Sequence, residues 1–154
     1  LRTGKLVADK LVKAADFEWA ADGKTLFYTT EDAAKRPHKL WRHTLGEPAS
    51  KDVLLYEEKD PLFNLGVGKS RDGKFLYRTS GSFTSSEQWF LPSDAPAGGW
   101  RVIRRRAKGV EYSADHRAGT FYIRTNAGGA TNFKVATAPV ADPGTWADFL
   151  PYDP

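Results

Sequence analysis

Glu111-Tyr112-Ser113-Ala114-Asp115-His116 brings the three side-chain types of a hydrolytic triad within four residues of one another. A triad works only when its members converge in space from separate elements, so this closeness along the chain does not make one. The G-x-S-x-G turn that exposes a serine nucleophile is absent from the sequence. Gly66-Val67-Gly68-Lys69-Ser70 resembles the end of a phosphate-binding loop. That loop needs a glycine five residues before Gly68, where this chain has Phe63, and a helix after the serine. Here Arg71-Asp72-Gly73 follows, which reads as a turn between strands. The three histidines, His38, His43 and His116, have no two-ligand helical spacing, and there is no cysteine to join them. No catalytic residue, cofactor-binding residue or metal ligand is therefore expected in this chain.

Three further groups have chemistry of a less specific kind. Arg104-Arg105-Arg106-Ala107-Lys108 is basic, but on a strand its side chains alternate between faces, which splits the patch. It reads as a solvated strand that blocks edge pairing, and no nucleic-acid partner is expected. Tyr56-Glu57-Glu58-Lys59-Asp60 reads as a solvated strand end. Trp19, Trp41, Trp89, Trp100 and Trp146 lie in or beside strand-like runs and are expected to pack between sheets rather than stack on sugars or peptides.

The composition fits a packed domain without a membrane span. The 154 residues are 40% hydrophobic and 13% aromatic, enough for a core. A net charge of +4 is a weak field for this surface, although the pI is 9.3. Without cysteine there are no disulfides and no thiol chemistry. No run of apolar residues reaches the ~18 to 20 that cross a bilayer. Leu1-Arg2-Thr3-Gly4-Lys5 opens no hydrophobic leader, and the sequence assigns no compartment.

The elements follow from a repeat. Gly23-Lys24-Thr25-Leu26-Phe27-Tyr28-Thr29-Thr30, Gly73-Lys74-Phe75-Leu76-Tyr77-Arg78-Thr79-Ser80 and Gly119-Thr120-Phe121-Tyr122-Ile123-Arg124-Thr125-Asn126 align without gaps, with glycines 50 and 46 residues apart. Asp22-Gly23 and Asp72-Gly73 read as type I′ hairpins, and Ala118-Gly119 is the weaker copy. A short strand precedes each turn, at Phe17–Ala20, Leu65–Lys69 and Val110–Ala114. A β-prone strand follows it. Third strands are predicted at Lys39–Leu45, Glu87–Leu91 and Asn132–Ala138, and fourth strands at Val53–Glu57, Trp100–Arg105 and Phe149–Tyr152. A helical turn is predicted only near Pro143–Asp148.

Four antiparallel strands per ~45 to 50 residues is the arithmetic of a β-propeller blade. The fold class is all-β, a partial β-propeller of about three blades. The blades are placed at 17–62, 63–109 and 110–154, with 1–16 as the end of a preceding blade. A closed ring takes ~4 to 8 blades, so the chain, which also lacks methionine, is expected to be an internal piece of a longer one.

Several stretches carry a family resemblance, in order along nearly the whole chain. They are Phe17-Glu18-Trp19-Ala20, Leu40-Trp41-Arg42-His43, Leu55-Tyr56-Glu57-Glu58-Lys59-Asp60, Glu111-Tyr112-Ser113-Ala114-Asp115-His116, Phe121-Tyr122-Ile123-Arg124-Thr125-Asn126 and Asn132-Phe133. They resemble the oligopeptidase B group of the prolyl oligopeptidase family of serine peptidases. The resemblance implies a seven-bladed propeller joined to an α/β-hydrolase domain with a Ser-Asp-His triad. It implies cleavage of short peptides after Lys or Arg, with the propeller excluding folded proteins. All matched positions fall in the propeller, so no catalytic residue of the family has a counterpart here. The sequence departs from the family pattern at 126–131 and around Pro61-Leu62. The implied partners are the remaining blades, the hydrolase domain and oligopeptide substrates. Bare faces on the end blades lead to an expectation of self-association, or of exchange of the 1–13 strand. A propeller scaffold that binds proteins and carries no enzyme is the competing reading.

Overall fold

The computed structural model describes residues 8–153 and contains twelve strands. They are β1 (Ala14–Trp19), β2 (Thr25–Glu31), β3 (Pro37–Thr44), β4 (Val53–Glu57), β5 (Asn64–Lys69), β6 (Phe75–Gly81), β7 (Ser86–Pro92), β8 (Arg101–Arg104), β9 (Tyr112–Arg117), β10 (Thr120–Thr125), β11 (Lys134–Pro139) and β12 (Ala147–Leu150). Consecutive strands pair antiparallel in three four-stranded sheets, β1 to β4, β5 to β8 and β9 to β12. This is the all-β arrangement read from the repeat.

Two local readings change. Residues 143–146 form turns rather than a helix and lead into β12, which starts two residues earlier than predicted. Trp146 shows why: its indole N–H donates to the Pro143 carbonyl at 2.9 Å and closes a turn. β1 starts at Ala14 and not at Phe17, because Ala14 already faces Thr30 across the ladder. Residues 14–16 thus pair within the first sheet. Residues 1–7 of the predicted preceding strand lie outside the described residues.

The glycine turns differ from the expected type. Asp22 and Asp72 are absent from the left-handed region, while Gly23 and Gly73 have φ of 65° and 72°. Each loop has four residues, closed by Ala20 N–H to Thr25 O at 2.9 Å and by Ser70 N–H to Phe75 O at 2.8 Å. The aspartates shape these loops. Asp22 Oδ1 accepts the amides of Lys24 and Thr25, and Asp72 Oδ1 accepts that of Lys74, so the acid stays in an ordinary conformation and only glycine turns left-handed. The weaker copy is the two-residue I′ turn: Ala118 and Gly119 have φ of 49° and 81°, and Arg117 pairs directly with Thr120.

That shortening has a consequence in the third sheet. Gapless alignment places Ile123 beside Phe27 and Tyr77. Phe27 packs in the core between the first and second sheets, and Tyr77 in that between the second and third, so both face the following sheet. Ile123 faces the preceding one, with Phe121, because a one-residue slip turns a strand's side chains over. The two cores are Ala20, Phe27, Leu40, Leu65, Val67, Leu76 and Leu91, and then Tyr77, Phe90, Ile103, Tyr112, Phe121 and Ile123 with three alanines.

Candidate functional site

The fold separates the triad-like residues. His116 lies on the core side of β9, where its Nδ1 meets Asp72 Oδ2 at 2.7 Å. The Gly119 amide donates to its Nε2 at 3.0 Å, so the ring proton sits on Nδ1 and goes to Asp72. Asp115 points the other way and accepts the Arg71 amide and guanidinium at 3.1 and 3.3 Å. Ser113, two residues earlier, stands beside Arg124 in the ladder. These groups tie sheets together and form no nucleophile–base pair. Gly66 to Lys69 lies in β5, where the backbone makes ladder bonds and Lys69 pairs with Glu18 at 3.1 Å.

The acidic and basic runs meet, which neither predicted alone. Glu58 is 1% exposed and is not at a solvated strand end. Arg106 donates to both its oxygens at 3.0 and 3.3 Å, and the Asp60 amide and the Tyr56 hydroxyl donate as well. Burial opposes its charge, but these donors outweigh it and hold the carboxyl below its ordinary value of 4.5. The three arginines have separate partners. Arg104 stacks over Trp146 at 3.6 Å, Arg105 over Trp89 at 4.4 Å and Arg106 over Phe63 at 4.0 Å. Arg78, which sequence reading passed over, is buried between the rings of Tyr56 and Trp89 at 3.6 and 4.5 Å. Burial pushes its pKa down to about 10, against the pull of Tyr56, Glu87 and Glu58. Nothing in its local sequence marks it, because Tyr56 and Glu58 come from the neighbouring sheet.

His43 is the other buried charge. Its Nδ1 meets Asp52 at 2.7 Å and its Nε2 meets Asp9 at 3.0 Å. With a carboxylate at each nitrogen, both must donate, which requires the imidazolium. Burial works against that charge, but the two carboxylates prevail and raise the pKa above 6.5. Tyr28 also donates to Asp52, at 2.7 Å. Among the described residues, no group of three or more His, Asp or Glu is placed to hold a metal ion, and no helix is long and apolar enough to cross a membrane.

The tryptophans divide. Trp100 meets Phe27 edge-on at 5.8 Å across the first interface, and Trp146 meets Tyr112 at 5.0 Å. Trp41 instead sits on the outward face of the first sheet, in the row Phe17, Tyr28, Trp41 and Leu54. Phe17 is 63% exposed there and Leu54 42%. The outward face of the third sheet carries Tyr122, Arg124 and Val135, with Phe149 against Tyr122 at 5.4 Å, around an open groove of about 650 Å³. Each end sheet thus has one uncovered face, at the position where the middle sheet is covered on both.

Three successive four-stranded sheets stacked face to face define an arc of β-propeller blades. The chain belongs to the prolyl oligopeptidase family: residues 1–154 match the model of that family's N-terminal β-propeller domain. Dipeptidyl aminopeptidase BI of Pseudoxanthomonas mexicana is 43% identical over 154 residues, which is 97% of this chain and 21% of that protein. Protease 2 of Moraxella lacunata is 35% identical over 156 residues, 99% of this chain and 22% of that one. Among solved structures, oligopeptidase B from Leishmania major superposes with a TM-score of 0.89 at 33% identity, covering 97% of this chain and 22% of its own. Oligopeptidase B from Trypanosoma brucei, in a closed form with covalently bound antipain, gives 0.89 at 37% identity, with 96% and 22% covered. The chain spans about a fifth of the length of these proteins.

Proposed function

We propose that this chain is a propeller segment of an oligopeptidase-B-like serine peptidase, and that in the parent it gates the access of short peptides to a Ser-Asp-His triad carried elsewhere. The observation that carries this reading is the pair of uncovered end faces, Phe17–Trp41–Leu54 at one end and Tyr122–Phe149 at the other. Each is shaped like the faces that the middle sheet buries, and each calls for a further blade. We place the blade starts near residues 14, 63 and 110. Cleavage after Lys or Arg is the proposed specificity; the name of the Pseudoxanthomonas relative suggests dipeptide release as the alternative to test against.

A serine-directed fluorophosphonate probe tests the reading. The full-length parent should be labelled on a single serine outside this segment, and the 154-residue chain should not be labelled. A parent that continues into more blades yet carries no reactive serine would mean a binding scaffold instead.

A further inference from the structure

We propose, resting on the reading above, that the gate closes through the end of the arc formed by the β2–β3, β6–β7 and β10–β11 turns. Phe83 and Leu62 are its apolar anchors, seated against the catalytic domain of the parent. Antiparallel connectivity gathers these turns and the inter-sheet links 58–63 and 105–111 at one end. Phe83 is 100% exposed and Leu62 73%. Asn64 pairs with Gly81, so both side chains lie two residues beyond the same rung and project side by side.

The segments that carry them are held in place. Ser82 N–H donates to the Ser85 carbonyl at 2.9 Å, and its hydroxyl oxygen accepts the Ser85 amide at 3.1 Å. Arg36 Nη1 donates to the carbonyls of Glu58, Asp60 and Phe63, and the Leu62 amide donates to Asp60 at 3.0 Å. Docking would therefore cost little ordering entropy. Backbone strain collects at the same end. Of the four non-glycine residues with positive φ among the described residues, Lys13, Lys35 and Phe133 are here and only Ala118 is at the other end. Strain of this kind persists where function requires it.

The opposite end is built differently. Its turns bond across sheets, as with Ala21 N–H to Ser93 O at 2.8 Å and Arg42 to Pro96 O at 3.2 Å. Its apolar side chains Leu45 and Val53 are 37% and 44% exposed. The occupant follows by assignment of surfaces. The end sheets offer their faces to neighbouring blades, and the matched relatives are several times longer than this chain. A non-propeller domain is left with the loop ends, and this is the end with bare apolar side chains. Exposed Lys59, Arg105 and Lys108 in the two links favour a partner surface rimmed with carboxylates.

The test uses the full-length parent. Hydrogen exchange at residues 81–86 should slow when a substrate-like aldehyde inhibitor is bound, with no change at 22–24. Phe83→Ser should raise kcat/KM for a long peptide relative to a tripeptide by about ten-fold, as expected for losing a buried aromatic contact. Lys24→Ser at the opposite end should leave that ratio alone. Protection at 22–24 instead, or an active parent whose Phe83→Ser ratio matches wild type, overturns the assignment. So does a change of mass that shows Phe83 pairing two copies. A parent that no serine probe labels fails the peptidase reading itself, and this one with it.

Discussion

Glu58 is the residue on which the first interface turns. Its partner Arg106 is 48 positions away, so the acidic run looked solvated when read by itself. Removing one member of a buried pair strands the other, and Glu58→Ala should cost about 3 kcal/mol in urea unfolding. A loss below about 0.5 kcal/mol would show that the pair is worth little. The pH dependence has two arms. Glu58 is held below its ordinary value, so its contribution is present above pH 4.5 and fades as the pH falls through its lowered folded value. His43 is raised, so its contribution is whole below pH 6.5 and fades as the pH rises through its higher folded value. His43→Gln should remove the alkaline arm and leave the acid arm in place. The Asp-Gly dipeptides were legible as turns, but their type was not, because the aspartate carboxylates and not the dipeptide decide it. Gly73 has open space around a Cβ yet a φ of 72°, so Gly73→Val should cost ~1–2 kcal/mol through strain alone.

At the scale of elements, the repeat carried the strand count, order and pairing, because each strand's period-2 pattern and each turn glycine are local. The side-chain phase of the third blade was not legible, since loops of four and two residues can sit under the same aligned glycine. The corrected phase makes a prediction that the alignment would reverse. Phe121 is fully buried and Tyr122 is 38% exposed. Phe121→Ala should cost ~3–5 kcal/mol in this chain, and Tyr122→Ala under about 1 kcal/mol. Equal losses would mean that the third sheet presents the other face. The strand at 147–150 followed a closed Trp146 turn that sequence mistook for a helical one, since a single i to i+3 bond serves both.

For the whole molecule, the end faces decide behaviour in solution. Phe17 and Leu54 on one end sheet, and Tyr122 and Phe149 on the other, are uncovered apolar surface that a partner usually claims. Light scattering should show mass rising above 17.1 kDa with concentration. A constant monomer mass, with no binding of a hydrophobic dye, would mean that the ends are capped. The family was legible from short strings spread along the chain, and the absence of catalytic residues from the missing nucleophile turn. The route by which peptides reach a triad was not, because that geometry belongs to parts the chain does not contain.

The most direct measurement of the central claim is turnover of a chromogenic Arg- or Lys-blocked peptide, run side by side with the 154-residue chain and the full-length parent. The parent should hydrolyse the substrate after the basic residue and lose activity with a serine-directed inhibitor, while the chain matches the blank. An inhibitor-sensitive activity that elutes with the chain's own peak would contradict the account. A parent that releases dipeptides but leaves the blocked substrate intact would contradict the proposed specificity.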